Sequence, residues 1–384
     1  TSMKASNVNV GAAVTITESG IEASGIGITC ASINDGQISG RRNIVINGAM
    51  MVSQRGNQSA TSSAGYFACD RFYTSNGSDA AVAVNQSTDS PDDFGFSYHL
   101  DCTTADTSIA AGQYFLIQYR IEGQDIQRFN KGTSSAKQFA LSFYVKATKT
   151  GLYTVELEDT DNQRQISKTI TVSNTDWNRY VLIFPADTSG AFNNDQNNSL
   201  SINWWLLAGS TYNGGTVNTS SWASITQANR ASGSNVNAMD STSNDFRLTG
   251  VQLEVGDQAT SFEHRSFGEE LSLCQRYYET HNHLTTAKTT DGSVTSQWST
   301  ITSNDSNTLV VSTGIIYKVP KRASPTVTLY NSSDTTTASR VNAQGTERTV
   351  SATYGGPSAL TRIYVTGASS GNYVTFNWEA DAEL

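Results

Sequence analysis

An all-β fold is predicted by three features of this chain: few charged residues, many small polar residues, and short alternating apolar stretches separated by turn residues. Charged residues make up 15% of the chain and hydrophobic residues 37%, while Ser, Thr, Asn and Gly fill much of the remainder. Surface helices usually expose Glu and Lys, so this composition favours sheets joined by turns. At 384 residues the chain is long enough for two or three domains.

The N-terminal segment, residues 1–41, contains short alternating pieces such as VNVG, AVTIT and GIEASGIGITCASI, which Gly, Ser and Asn interrupt. A pair of strands alone is only marginally stable in water, so the segment needs a partner. It either forms a fibrous β shaft with other copies of the chain or is a leader with a few strands docked on the next domain.

A central jelly roll is expected over residues 42–262, because longer strands and turn signals recur there at the intervals of a β-sandwich. Single helical turns are expected at 126–129 and 221–228, and the longest loop-rich region is 209–244. The expected strands are 43–51, 80–85, 96–101, 114–122, 138–147, 151–159, 165–172, 178–185, 200–208 and 245–254.

A short connector helix is predicted within residues 263–280, where the sequence from 262 to 278 reads FEHRSFGEELSLCQRYY. Ser266 can cap its first turn, and Glu269 and Glu270 lie near its positive end. Its apolar stripe has roughly helical spacing. The stripe consists of Leu271, Leu273, Cys274, Tyr277 and Tyr278.

The stretch before this helix, DFRLTGVQLEVG at 245–256, alternates as a half-buried strand with one slip at Gly250, which predicts a bulge. After the helix, residues 281–384 are expected to form a smaller C-terminal β-sandwich. Its expected strands are 293–300, 308–317, 326–330, 349–354, 360–366 and 374–380.

Four motifs carry a family resemblance: RNIVINGAMMVSQRG at 42–56, YFACDRFY at 66–73, LTGVQLEVG, and the helix sequence. In this order they resemble tail fibre and receptor-binding proteins of tailed bacteriophages, especially those that infect marine bacteria and cyanobacteria. The resemblance covers residues 42–278. It implies that the first motif opens, and the third closes, a jelly roll similar to carbohydrate-binding modules.

The resemblance also implies a biological role. We expect a homotrimer that is joined by its N-terminal shaft, attached to other virion tail proteins through the N-terminus, assembled in the host cytoplasm and located in the virion. Its loops would bind host surface polysaccharide without catalysis. Two alternatives stay open: a purely structural virion fibre or decoration protein, and a polysaccharide depolymerase.

Charge and hydropathy exclude other classes of function. The formal net charge is -9, and no cationic run is longer than Arg41 and Arg42. Nucleic-acid binding needs clustered cations, so it is not expected. No apolar run approaches the roughly 20 residues that cross a bilayer, and the first residues lack the features of a secretion signal, so neither membrane insertion nor conventional secretion is expected.

The cysteines are scattered without paired spacing, which favours buried thiols over a disulfide framework. A disulfide between Cys69 and Cys102 is the alternative. The four cysteines are Cys30, Cys69, Cys102 and Cys274.

The candidate carbohydrate-binding residues are Trp222, Tyr212 and Trp205, because sugars stack on flat aromatic faces beside hydrogen-bonding side chains. Trp204 and Trp205 are neighbours in one expected strand, so they point to opposite faces. The outward ring either faces solvent or lies under the 209–244 loop. Trp222 either forms a platform or pins its own loop onto the sandwich.

A structural calcium ion is the one cofactor considered, since hard cations take clustered oxygen ligands. By the resemblance, Asn47 and Asp245 occupy the places beside the first and last strands where such an ion sits. Glu158, Asp159 and Asp161 form a second carboxylate group, and solvated carboxylates at a turn are the plainer interpretation.

No P-loop or dinucleotide motif is present in the sequence. Paired carboxylates for glycoside hydrolysis stay open, because only their separation in space is diagnostic. We expect a protein that is not an enzyme.

Overall fold

The computed structural model describes residues 14–17, 20–23, 41–281, 297–299, 301–305, 308–331, 339–343, 346–366 and 374–384. Strands dominate these ranges, and the two α-helices in them are α1 (Ser210–Asn213) and α2 (Phe267–Gln275). The all-β prediction is confirmed. Strands β1 (Val14–Thr17) and β2 (Gly20–Ala23) pair as an antiparallel hairpin. Sharing of this segment between copies stays a prediction.

The central domain consists of two antiparallel sheets. Their strands are β3 (Gln58–Thr61), β4 (Gly65–Tyr66), β5 (Phe72–Asn76), β6 (Ala81–Ser87), β7 (Ser97–Thr104), β8 (Tyr114–Glu122), β9 (Phe139–Ala147), β10 (Gly151–Asp159), β11 (Arg164–Val172), β12 (Asn178–Phe184), β13 (Asn198–Ala208), β14 (Ala223–Ser224) and β15 (Asp245–Val255). The strand order is β14-β11-β10-β13-β8-β5-β4 in the seven-stranded sheet and β12-β9-β15-β7-β6-β3 in the six-stranded sheet. Single 3₁₀ turns lie at Gly123–Asp125, Gln127–Phe129 and Gln227–Asn229.

The core of this domain lies between the two sheets, because each strand turns alternate residues inward. In β8, Phe115, Ile117 and Tyr119 enter the core. Trp204 also points inward and packs edge-on against Phe143, with ring centroids 5.7 Å apart. The two-sheet sandwich predicted from the strand count is therefore confirmed.

The strand expected at 43–51 is wrong, because this segment forms turns. Asn47 and Met50 have positive φ values of 60° and 58°. The buried Asn47 side chain accepts a hydrogen bond from Val52 N at 2.9 Å and donates to the carbonyl oxygens of Val52 and Asp70. The alternation of apolar residues that predicted a strand at 43–51 reflects side chains that are buried although the backbone is not extended.

Strand β15 has its predicted bulge. Its pairing with β9 shifts register between Thr249 and Gln252, and Gly250 lies between them with a φ of 62°. Glycine adopts this left-handed conformation without the steric cost that a side chain would add.

Helix α2 begins where the sequence predicts. The Ser266 hydroxyl accepts a hydrogen bond from Glu269 N, and Glu270 also lies in the first turn. The helix buries Leu271 and Cys274 in a separate apolar cluster. The other members of this cluster are Ile46, Val52 and Tyr277, with Met51, Leu273 and Leu384 packed against them.

Three cysteines, Cys69, Cys102 and Cys274, are buried free thiols, so the Cys69–Cys102 disulfide does not form. Burial raises the pKa of the Cys69 and Cys274 thiols well above the usual range, which keeps them protonated and unreactive. Cys30 lies outside the described residues.

The described C-terminal strands form one hydrogen-bonded sheet of nine strands in place of two separately bonded sheets. Side chains from distant strands, including Leu329, Leu360 and Phe376, share one apolar cluster, so the sheet curls around its own core. The last strand, β24, pairs with β16, β17, β20 and β21. The strands are β16 (Tyr278–Thr280), β17 (Gln297–Ser299), β18 (Ile301–Asp305), β19 (Thr308–Ile316), β20 (Thr326–Asn331), β21 (Arg340–Ala343), β22 (Thr346–Gly356), β23 (Ala359–Thr366) and β24 (Val374–Asp381).

Ion pairs, one of them buried, connect the two domains. The Arg71 guanidinium pairs with the Glu383 carboxylate and lies 3.4 Å from the ring centroid of Tyr277. Arg55 pairs with Asp381 at 3.0 Å. In the described ranges, no helix is long and apolar enough to cross a membrane.

Candidate functional site

The outer face of the seven-stranded sheet carries a row of polar side chains. Asn203 on β13 is paired with Gln118 on β8 and with Glu156 on β10, so these three side chains lie side by side on the face away from the core. Arg120 and Glu158 extend the row along the same strands by two residues.

Hydrogen bonds join this row into a continuous ladder. Arg120 Nε donates to Gln118 Oε1 at 2.7 Å, and Gln118 Nε2 donates to Asn203 Oδ1 at 2.9 Å. Asn203 Nδ2 then donates to the carboxylates of Glu156 at 3.0 Å and Glu158 at 3.1 Å. Each side chain is therefore held in one orientation before any ligand arrives.

Arg230, from the loop after β14, completes the ladder. Its Nε donates to Glu156 Oε1 at 2.8 Å, and its terminal nitrogen pairs with Glu158. Trp205 Nε1 also donates to Glu156 Oε2 at 3.0 Å. Burial raises the pKa of Glu156 while the charge of Arg230 opposes the rise. The cation balances the buried carboxylate and fastens the loop to the sheet.

A cavity of about 310 Å³ opens above this ladder. Tyr212 lies against Trp205 with ring centroids 5.3 Å apart, and Tyr114 meets Tyr212 edge-on at 5.4 Å. Tyr114 and Tyr212 are half-buried, whereas Trp205 is 2% exposed. The two tyrosines therefore form walls, and Trp205 supports them from below. Such a cavity can take a ligand that has both an apolar face and many hydroxyl groups.

Two of the three predicted carbohydrate-binding residues, Trp205 and Tyr212, meet in this cavity. Trp205 points outward, as its neighbour Trp204 points inward, and the loop covers it through Tyr212 and Arg230. Of the two alternatives for the outward-facing tryptophan, the structure shows that Trp205 lies under the 209–244 loop, so its ring is not an open platform.

The platform role expected for Trp222 is wrong, because its side chain lies in the core at 6% exposure. Its Nε1 donates to Pro185 O at 2.9 Å, and its ring lies 5.6 Å from that of Phe139. Trp222 pins its own loop onto the sandwich. The platform expectation failed because a loop aromatic without periodic apolar neighbours can still pack inward.

Sequence reasoning missed Tyr114, Gln118, Asn203 and Arg230. The first three carry a usable signal, since they alternate with inward apolar residues in strands that were predicted at nearly the right bounds. Arg230 lies in an irregular loop, where no periodicity identifies its partners.

The calcium site expected at Asn47 and Asp245 is not formed, because Asp245 lies at the start of β15 and the Asn47 turn packs near the middle of that strand. The backbone bond from Val251 N to Gly48 O places the Asn47 turn near Val251, six residues along the strand from Asp245. Six residues of strand span about 20 Å. The Asp245 carboxylate pairs with Arg247 and lies 3.5 Å from His99 Nε2.

The second carboxylate group is also occupied by protein partners. Asp159 pairs with Lys131 at 2.5 Å, and Asp161 accepts from Asn193 Nδ2 at 3.0 Å. Throughout the part of the chain that the structure describes, no group of three or more His, Cys, Asp or Glu residues is placed to hold a metal ion. A structural calcium ion elsewhere stays a prediction.

No family model and no curated protein matches this chain. Among solved structures, it is similar to a family 4 carbohydrate-binding module (12% identity, TM-score 0.29, covering 54% of this chain and 97% of that one). A family 11 module of a cellulosomal cellulase from Clostridium thermocellum matches at 12% identity with a TM-score of 0.27, covering 54% and 99%. A xylan-binding domain of family 22 matches at 11% identity with a TM-score of 0.27, covering 50% and 90%.

Proposed function

We propose that this protein is a non-catalytic bacteriophage tail fibre protein that binds host surface polysaccharide through the outer face of its seven-stranded sheet. The observation that carries the proposal is the cavity that Tyr114 and Tyr212 wall above the hydrogen-bonded ladder. Aromatic rings pack against the apolar side of a pyranose; beside them, carboxylates accept hydrogen bonds from its hydroxyls, the guanidinium donates to them, and the amides do both.

Preorganisation supports a binding role. Gln118 and Asn203 each have their amide orientation fixed by neighbours in the ladder, so little side-chain entropy is lost when a sugar binds. Glu156 and Glu158 lie opposite Arg230, and Arg120 belongs to the same ladder, so two cations offset the two carboxylates. An uncharged, hydroxyl-rich ligand suits such a surface.

The same contacts favour binding without cleavage. A glycoside hydrolase needs one carboxylic acid and one carboxylate free to act on the two sides of the glycosidic bond. Here Asn203 Nδ2 bonds both Glu156 and Glu158, and Glu156 is fully buried beneath Arg230 and Trp205. Neither carboxylate is placed as a separate acid or nucleophile.

The virion assignment and the homotrimer rest on the sequence resemblance of residues 42–278 to phage tail fibre proteins. In this proposal, the N-terminal segments knit three copies together and attach them to other tail proteins. Three linked sites raise avidity, because the second contact is intramolecular. Weak individual sites then suffice for adhesion.

The experiment is titration of host envelope polysaccharide into purified wild-type, Tyr114→Ala and Tyr212→Ala proteins by calorimetry. Each variant is expected to bind about fivefold to tenfold more weakly, since an aromatic contact contributes about 1 kcal/mol. Tyr354→Ala is the matched control, because Tyr354 is 53% exposed on the C-terminal sheet. Circular dichroism checks that each variant is folded.

Other outcomes would favour the alternatives. Binding that neither tyrosine variant weakens would overturn the site, and the absence of binding to host polysaccharides would favour a purely structural fibre or decoration protein. New reducing ends or unsaturated products during incubation would favour a depolymerase. Light scattering tests the trimer, which should have three times the 41.3 kDa mass of one chain.

A further inference from the structure

A second aromatic cavity lies on the outer face of the six-stranded sheet, on the opposite side of the sandwich. It has a volume of about 560 Å³. Phe94 is at its centre, with ring centroids 5.0 Å from Phe262, 5.3 Å from Tyr144 and 5.3 Å from His264. Tyr144 belongs to β9, whose neighbouring residues Phe143 and Val145 face the core.

The bulge in β15 makes room for these rings. A Cβ atom on Gly250 would lie 2.8 Å from both Phe94 Cζ and Tyr144 Cδ2, and its φ of +62° disfavours other residues. Glycine at this position therefore lets two rings pack directly over the strand. Gly250 therefore contributes to the shape of this cavity as well as to the bulge of the strand.

The loop that carries Phe94 is fastened at several points. Phe94 N donates to Pro91 O at 3.2 Å, and Ser90 Oγ donates to Phe94 O at 2.6 Å. Thr249 Oγ1 donates to Phe96 O at 2.7 Å. The ring is therefore positioned before a ligand arrives, which lowers the entropic cost of binding.

The rim of the cavity is polar and open to solvent. Asp93, Arg179 and His264 are exposed, whereas Phe94 and Phe262 are half-buried. To described residues, Arg179 donates one hydrogen bond, which goes to Thr260 O at 2.8 Å, and a guanidinium has five N–H donors. A carboxylate and a guanidinium beside half-buried rings offer both acceptors and donors around an apolar surface.

We infer that this cavity is a second saccharide site, which takes a pyranose unit packed in the corner between the Phe94 and Phe262 rings, with its hydroxyls bonded by Asp93 and Arg179. The volume lies within the usual range for small-ligand sites, about 300–1,000 Å³. The ligand class rests on the proposed function. The inference goes beyond it, because two sites on opposite faces let one protomer bridge two polysaccharide strands.

The test is calorimetric titration of oligosaccharides, released from host envelope polysaccharide by mild acid, into the wild-type protein and variants at each face. The wild-type protein is expected to bind two oligosaccharides per protomer. Phe262→Ala and Arg179→Ala should each weaken the second site about tenfold or more and leave one measurable site. Arg179 is exposed, so its variant is expected to fold even if the Phe262 variant does not.

Tyr212→Ala separates this inference from the proposed function. If the wild-type protein binds one oligosaccharide, and Tyr212→Ala weakens this binding about fivefold to tenfold while Phe262→Ala and Arg179→Ala do not change it, the second site is refuted and the first stands. If instead Phe262→Ala and Arg179→Ala weaken the binding and Tyr212→Ala does not change it, the site on the seven-stranded sheet is refuted and the site on the six-stranded sheet is supported. If the wild-type protein binds none, both sites are refuted.

Discussion

Replacing Trp222 should damage stability far more than glycan binding. Its ring is buried beside Phe139, and Lys131 Nζ lies 5.5 Å from its centroid. Truncating a buried Trp to Ala typically costs about 3–5 kcal/mol. Pro185 O also loses the hydrogen bond from the indole nitrogen, at about 1 kcal/mol. We therefore expect Trp222→Ala to lower the free energy of unfolding by about 4–6 kcal/mol.

Trp222→Phe is the informative partner variant. It keeps an aromatic ring in the core and removes the indole N–H, so the free energy of unfolding should fall by only about 1–3 kcal/mol. Guanidinium chloride unfolding measures this change, and calorimetry with host envelope polysaccharide measures binding. Trp222→Phe should bind within twofold of the wild-type protein. A tenfold loss of affinity with unchanged stability would refute the core assignment.

Three further perturbations test other parts of the structure. Glu383→Ala leaves the buried charge of Arg71 without its carboxylate partner, so the free energy of unfolding in urea should fall by about 3 kcal/mol. A fall below about 1 kcal/mol would contradict the ion pair. Gly250→Ala should lower the free energy of unfolding by about 2–4 kcal/mol, because Gly250 has a positive φ and a Cβ there meets close contacts. Gly268→Ala is its control, since a Cβ at Gly268 meets open space and should not destabilise the protein. Burial raises the pKa of Asp70 from 3.8 to about 6, although the charge of Arg55 opposes the rise. The Asp70 carboxylate therefore takes up a proton more readily in the folded state than in the unfolded state. Lowering the pH from 7 to 4 should therefore stabilise the wild-type protein relative to Asp70→Asn by up to about 3 kcal/mol, and a difference that stays constant with pH would contradict this.

Local patterns predicted much of the fold. The 245–256 strand and its bulge at Gly250 were predictable because period-two alternation, a slip and a glycine coincide in one segment. Helix α2 was predictable because Ser266, the acidic first turn and the apolar residues Leu271, Leu273 and Cys274 agree. The predicted stripe ran too far, since the helix ends at Gln275 and Tyr278 begins β16. In both cases the local preference and the tertiary packing point the same way.

The failures arise where a contact distant in sequence decides the conformation. Residues 43–51 alternate like a strand, but the buried amide of Asn47 bonds across to Asp70 and folds the segment into turns. Trp222 lies in a loop whose direction depends on Pro185. Arg230 bonds to Glu156, which lies 74 residues earlier in the sequence. Local sequence does not specify these pairings.

The candidate glycan-binding ladder and the C-terminal domain share one residue, Arg120. Its Nε orients Gln118 in the ladder, its Nη1 donates to Leu384 O, and its guanidinium lies 4.4 Å from the ring centroid of Tyr73. The segment that ends at Leu384 is itself held by the Arg71 pair with Glu383. Three groups hold the Arg120 guanidinium in place. Displacing the segment that ends at Leu384 would remove one of these contacts and weaken the hydrogen bond from Arg120 to Gln118 in the ladder. Packing between the domains thus contributes to the rigidity of the face that we propose binds sugar.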